Sequence, residues 1–246
     1  MTLQEREEVA PLNTLLEKIS LTRQLFDFNT NFAEITDKLF DDWGKQAYNA
    51  GLPGLQRKAD QVKKVVRELH KFPDFQAPLE MLYQQALINS VSALENYLRD
   101  IFVDKVKVEP DKAIKELKDI RIPTSFIKEN GLDLTEYFGE VIMEADRDIN
   151  FQDLQSTRRT FSRYLQIDIC QKMDRKIMEN VVLAHAVRHI IIHKNGIIDK
   201  RFVSQIKDTR HKSGYSLGEN LKLEKNFIKQ LIDSIEDFAM FVNNKL

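Results

Sequence analysis

Apolar residues recur at helical spacing along most of this chain, and little interrupts them. Only eight glycines and six prolines occur in 246 residues, so the helical periodicity runs on in long stretches and predicts an all-α fold. The clearest stretch, from Pro78 to about Lys105, places Leu87, Val91, Leu94, Leu98 and Ile101 at i, i+4, i+7, i+11 and i+14, one face of a core helix. Upstream, Pro11 is suited to open a long amphipathic helix marked by Leu12, Leu15, Leu16, Ile19, Phe26, Ile35 and Leu39 and running to about Trp43. Gly51-Leu52-Pro53-Gly54 ends it. A charged helix from about Leu55 to His70 follows, with a thin stripe of Val62, Val65, Val66 and Leu69, and Phe72-Pro73 closes the pair.

This pattern predicts residues 1–75 as a helical hairpin extension that packs on a neighbour or partner, and residues 76–246 as the main helical domain. Residues 109–150 read as an irregular insertion, broken at Ile122-Pro123 and Asn130-Gly131. Beyond it come a short helix within Phe151 to Leu165, a second from about Met173 to Lys194, a polar loop through Gly214 and Gly218, and a last helix carrying Ile228, Leu231, Ile235, Phe238 and Val242. Four principal helices from Pro78 onward make a bundle the economical architecture.

Charge and cysteine usage narrow the function classes. Thirty-seven basic residues against thirty-eight acidic ones give a formal net charge of -1, so any nucleic-acid contact must come from a local patch. A single cysteine, Cys170, excludes an intramolecular disulfide and a cysteine-rich zinc site, and it reads as a small packing residue. Met1 to Ala10 is polar and lacks the apolar core of a signal peptide, and no apolar run reaches membrane-span length. The expectation is a cytoplasmic protein without membrane contact.

Chemistry concentrates in Arg188-His189-Ile190-Ile191-Ile192-His193-Lys194-Asn195-Gly196, an Arg-x4-His motif on an apolar helix that stops at Asn195-Gly196. On a helix Arg188 and His193 stand about 140° apart around the axis and about 7.5 Å apart along it. One copy therefore borders a cleft rather than clamping a phosphate, and a two-fold dimer would bring a second pair to the same groove. Such a set suits cleavage of RNA by its own 2′-hydroxyl. Histidine, with an ordinary pKa of about 6.5, transfers the proton, and arginine's planar fork holds phosphate oxygens. That division makes His193 the acid/base and Arg188 the phosphate ligand, with His189 and Asn195 in support.

Four further readings concern neighbouring residues. Glu95 lies on the apolar face of its helix, about 40° from Val91, and needs a partner there: a histidine or Arg188 at the cleft, or some other base at the core edge. His185, His189 and His193 fall at i, i+4 and i+8, but His185 and His193 are about 12 Å apart along the axis, too far to share one metal ion. No metal or other cofactor is expected. Arg158, Arg159 and Arg163 before the motif helix, with Lys194, Lys200 and Arg201 at its end and just after it, offer a local border for RNA phosphates, whereas Phe161 and Tyr164 read as core.

These pieces together resemble the HEPN (higher eukaryotes and prokaryotes nucleotide-binding) superfamily, in particular its RiboL-PSP-type or MAE-type branch. The resemblance covers about Pro78 to the C-terminus. It rests on Ala86-Leu87-Ile88-Asn89-Ser90-Val91-Ser92-Ala93-Leu94-Glu95-Asn96-Tyr97, on Asn150-Phe151-Gln152-Asp153-Leu154, on Arg163-Tyr164-Leu165-Gln166-Ile167-Asp168 and, most specifically, on Arg188 to Gly196. Arg188, His189 and His193 occupy the places of the family's Arg, polar residue and His. It implies an antiparallel four-helix bundle, a homodimer joined across the motif helices, and metal-independent endoribonuclease activity, in a toxin or defence effector restrained by an antitoxin or other regulatory protein. It equally implies an alternative, a non-catalytic HEPN module that binds nucleotide, RNA or a partner protein. A purely structural helical adaptor built on the N-terminal hairpin is the third possibility.

Overall fold

The computed structural model describes residues 10–68, 73–116, 124, 127–128 and 137–246. The fold is all-α: among the described residues no strand occurs, only an isolated antiparallel bridge between Ile197 and Asn220. Its helices are α1 (Pro11–Asn49), α2 (Pro53–Glu68), α3 (Pro73–Val108), α4 (Pro110–Ile114), α5 (Phe138–Ala145), α6 (Leu154–Leu165), α7 (Arg175–Lys194), α8 (Lys200–Ile206) and α9 (Lys225–Lys245), with a 3-10 turn at Arg210–Ser213. The apolar face of α3 is as the spacing predicts: Leu87, Val91, Leu94 and Leu98 are at most 1% exposed. The helix begins at Pro73, however, and carries Pro78 inside its second turn rather than at its start. The breaks expected at Ile122-Pro123 and Asn130-Gly131, and the N-terminal segment Met1 to Val9, lie outside the described residues.

Side-chain contacts fix the helix directions. Tyr97 donates to the carbonyl of Ala239 at 3.1 Å and Lys105 reaches the carbonyl of Leu246, so α3 and α9 run the same way. Asn180 donates to Ser234 at 2.8 Å and Lys245 to the carbonyl of Gln171, which sets α7 antiparallel to α9. The first half of α1 runs back along α3: Pro11 lies beside Ile101 and Lys105, and Phe26 stacks on Tyr83 at 4.7 Å. Leu15, Ile19 and Phe26 of α1 thereby join one core with Val187 and Ile190 of α7 and Ile235 and Phe238 of α9. Farther along, α2 is the helix that accompanies α1 among the described residues, through Gly44 beside Ala59 and ion pairs of Lys63 with Asp41 and Arg67 with Asp37. This explains why Ile35 and Leu39, at helical spacing with the buried positions, are 62% and 65% exposed.

The segment expected to be irregular contributes to the core. Gly139, Val141 and Ile142 of α5 are buried, and α5 packs on α3. Within the same core Phe102 gathers Phe151, Phe161 and Tyr164, ring centroids 5.6–6.0 Å from its own, so Phe161 and Tyr164 are core residues. Cys170 is buried and free, and burial pushes its thiol pKa up to about 12, which suits a packing role.

Two glycines give opposite expectations. A Cβ on Gly139 would lie 2.8 Å from the Cα of Val103, where backbone must move, so Gly139→Ala should destabilise the fold by about 1–3 kcal/mol. A Cβ on Gly44 would meet Ala59 at an ordinary 3.8 Å, so Gly44→Ala should stabilise by about 0.5–1 kcal/mol. Urea unfolding midpoints of the two variants check both signs.

Candidate functional site

The site is built on the last turns of α7, and the local sequence fixes where that helix begins and ends. Asp174 caps its start by accepting from the backbone N–H of Lys176 at 2.6 Å. At the other end Asn195 and Gly196 take left-handed backbone angles, φ 50° and 80°, and the Gly196 N–H returns to the Ile190 carbonyl at 3.0 Å. A Cβ at Gly196 would also meet Asn220 Oδ1 at 3.0 Å. Hydrogen bonds from Ile198 to Glu219 and from Leu221 to Gly196, each 2.9 Å, fasten this end to the following loop. Asn195 thus supports the site as the helix terminator, in line with the stop read from Asn195-Gly196.

The three consecutive isoleucines differ in how they meet the core. Ile190 is fully buried, Ile191 partly, and Ile192 is 43% exposed, because successive helix residues turn by about 100°. The same rotation separates the polar groups. Arg188 points toward α3, with Nη1 3.6 Å from Glu95 Oε1 and its Nε buried without a hydrogen-bond partner. His193 is exposed, and its ring lies 4.8 Å from that of His189 in a tilted contact. Arg188, His189 and His193 therefore border one helix end on adjacent faces.

Glu95 meets Arg188 and also His185, whose Nδ1 is 3.7 Å from the same Oε1 oxygen; its ion pairs among the described residues do not include His193. His185 is 3% exposed at the side chain and its Nδ1 has no hydrogen-bond partner among the described residues. Among the described residues no group of three or more His, Cys, Asp or Glu is arranged to hold a metal ion.

Asp199 was not singled out by the sequence. One of its oxygens caps α8 by accepting from the Phe202 N–H at 2.8 Å, and the other lies 3.9 Å from His189 Nε2. The residues after the motif thus form a short helix rather than a polar loop, a feature readable from Asp199 as an N-cap ahead of Phe202, Val203 and Ile206. Burial, then the positive charge of Arg201, lower the pKa of His189 below its ordinary value; Asp199 opposes them.

The predicted RNA-binding residues divide. Arg158 and Arg159 line one cavity together with His185, although Arg158 is also held by both oxygens of Asp168, at 3.1 and 2.8 Å. Arg163 pairs instead with Asp146 at 2.8 Å, beside Tyr164. Lys194 is exposed at the end of α7. No described helix is long and apolar enough to cross a membrane. No family model, curated protein or solved structure matches the chain.

Two histidines set a pH dependence of stability. His189 and His211 both have pKa values lowered chiefly by burial. As pH falls through about 6.5 the unfolded chain takes up protons that the folded histidines resist, so stability should fall until the lowered folded values are passed. Urea midpoints between pH 7.5 and 5.5 should decline for the natural sequence, and less for His189→Gln combined with His211→Gln.

Proposed function

We propose that this chain is a metal-independent endoribonuclease of the HEPN kind, a homodimeric, cytoplasmic toxin or defence effector with an antiparallel four-helix bundle at its centre. The observation that carries the reading is the exposed His193 ring beside His189, with Arg188 on the neighbouring face of the same helix end. In this mechanism His193 removes the proton from an RNA 2′-hydroxyl, and the freed oxygen attacks the adjacent phosphorus. The 5′-oxygen departs with a proton from a histidine, and a 2′,3′-cyclic phosphate remains. Arg188 stabilises the charge that develops on the phosphoryl oxygens. Asp199 orients His189, and the lowered pKa of His189 keeps it neutral, so it is ready to accept a proton near neutral pH. Glu95 holds Arg188 in place. The exposed Ile192 and His193 would meet their copies across the two-fold axis, placing two Arg188/His193 sets in one groove. Lys194 and the arginines of α6 supply cations for the RNA backbone, and an antitoxin or other regulatory protein would cover the groove.

One observation favours the second reading, a non-catalytic HEPN module binding nucleotide, RNA or a partner protein. The Arg188 side chain is only 21% exposed and is turned toward Glu95, so part of its hydrogen-bonding capacity is directed inward.

Incubation with total RNA in excess EDTA separates the two. The nuclease reading expects fragments ending in 2′,3′-cyclic phosphate, with cleavage lowered at least about 100-fold in His193→Ala and lowered likewise in Arg188→Ala. Binding of RNA without cleavage, unchanged by an added regulatory partner, would establish the module instead.

A further inference from the structure

A cavity of about 840 Å³ opens between the N-terminal turn of α6, the middle of α7, and α8 with the turn that follows it. Its size falls in the range of small-molecule sites, about 300–1,000 Å³. Arg188, His189 and His193 do not line it, so it is a place separate from the candidate cleavage site. Its walls carry Arg158, Arg159, Arg175, Arg201 and Lys207 against three carboxylates, Asp153, Glu179 and Asp208.

The charges are unequally engaged. Glu179 is almost wholly buried and held by Arg175 at 2.8 Å, with Arg210 at 3.9 Å; burial alone would raise its pKa, but these arginines keep it below the ordinary value. Asp153 is committed to capping α6 through the Ser156 N–H at 2.7 Å. Arg159 reaches only the Ser156 hydroxyl, at 2.9 Å, and Arg201 and Lys207 form no ion pair or hydrogen bond among the described residues. Three cations that form no ion pair among the described residues, Arg159, Arg201 and Lys207, therefore border the cavity, opposed chiefly by Asp208.

A second, independent feature marks the cavity as a site rather than a charged hollow. His185 lines it while its side chain is 3% exposed; its Nδ1 is turned to Glu95 Oε1 at 3.7 Å, outside the lining, and its ring forms no hydrogen bond among the described residues. A buried polar group without a partner is costly, and a ligand that completes its surroundings recovers that cost. Two guanidinium groups and an ammonium lining one concavity suit an oxyanion with more than two accepting oxygens, which is phosphate rather than carboxylate chemistry.

We propose that this cavity is a binding site for a phosphate-bearing ligand, held by Arg159, Arg201 and Lys207 above the buried His185. The site shares Arg159 with the RNA-backbone cations of the nuclease reading, but binding here requires no cleavage. Its phosphate has two possible sources, a free phosphorylated molecule or the backbone of a bound RNA.

Isothermal titration calorimetry of the full chain with inorganic pyrophosphate tests the site directly. The expected result is saturable one-site binding, weakened at least about tenfold by Arg201→Gln and by Arg159→Gln, each removing one charged donor. Both side chains are exposed, so the variants should retain the native melting temperature. Lys222→Gln, a surface change outside the cavity, should leave binding intact, as should His193→Ala. Competition against pyrophosphate then identifies the source: displacement by a nucleoside 5′-monophosphate marks a small ligand, and displacement only by single-stranded RNA lacking terminal phosphates marks the strand. Absence of saturable binding to the natural sequence overturns the proposal. So does an equal loss in Lys222→Gln and Arg201→Gln, which would reduce the effect to general charge attraction.

Discussion

The site depends on the burial of one face of α7 against α3 and α9. Val187 and Ile190 are fully excluded from water, and Asn180, nearly as buried, ties the same helix to Ser234 and accepts from Arg210 and His211. A helix seated in this way has no rotational freedom, because a turn of one residue would exchange an isoleucine in the core for a histidine. Arg188, His189 and His193 are therefore placed by residues that take no part in their chemistry. Burial of the apolar side of such a helix contributes on the order of 1.5–3 kcal/mol for each large side chain.

Much of this was readable from periodicity and capping. The i, i+4, i+7 pattern located α3, and Asn195-Gly196 located the end of α7 to the residue, because a left-handed terminator is a local requirement that few residues meet. What periodicity could not supply was which apolar faces find a partner. Ile35 and Leu39 follow the same spacing as Leu15 and Ile19, yet the latter pair is buried and the former exposed, and the contacts described between α1 and α3 involve the first part of α1. The three isoleucines of the motif look equivalent as letters and differ from 0% exposed at Ile190 to 43% at Ile192. Likewise α5 carries buried residues within a stretch whose sequence is irregular, since packing on α3 compensates for a weak local signal.

Side-chain partnerships were less legible still. The position of Glu95 on an apolar face announced the need for a partner but left its identity open; tertiary packing supplies Arg188 and His185 together. Arg158, Arg159 and Arg163 are close in sequence, yet the first two line a cavity shared with His185 and the third, one turn farther along α6, pairs with Asp146. Asp199 escaped notice because its visible role is that of a helix cap, and its second role toward His189 exists only once α7 and α8 are folded against each other.

That double use of Asp199 ties two short-range events to a fixed chain length. The turn between the end of α7 and the cap of α8 contains only Asn195 to Ile198, and both its hydrogen-bonded registry with Glu219 and Leu221 and the reach of one carboxylate to His189 are set by that length. An insertion or deletion of a single residue there would carry the carboxylate away from the imidazole while leaving both helices able to form. Relatives that share this arrangement should thus be recognisable by a spacing in which an arginine is followed five residues later by histidine, eight later by glycine and eleven later by aspartate.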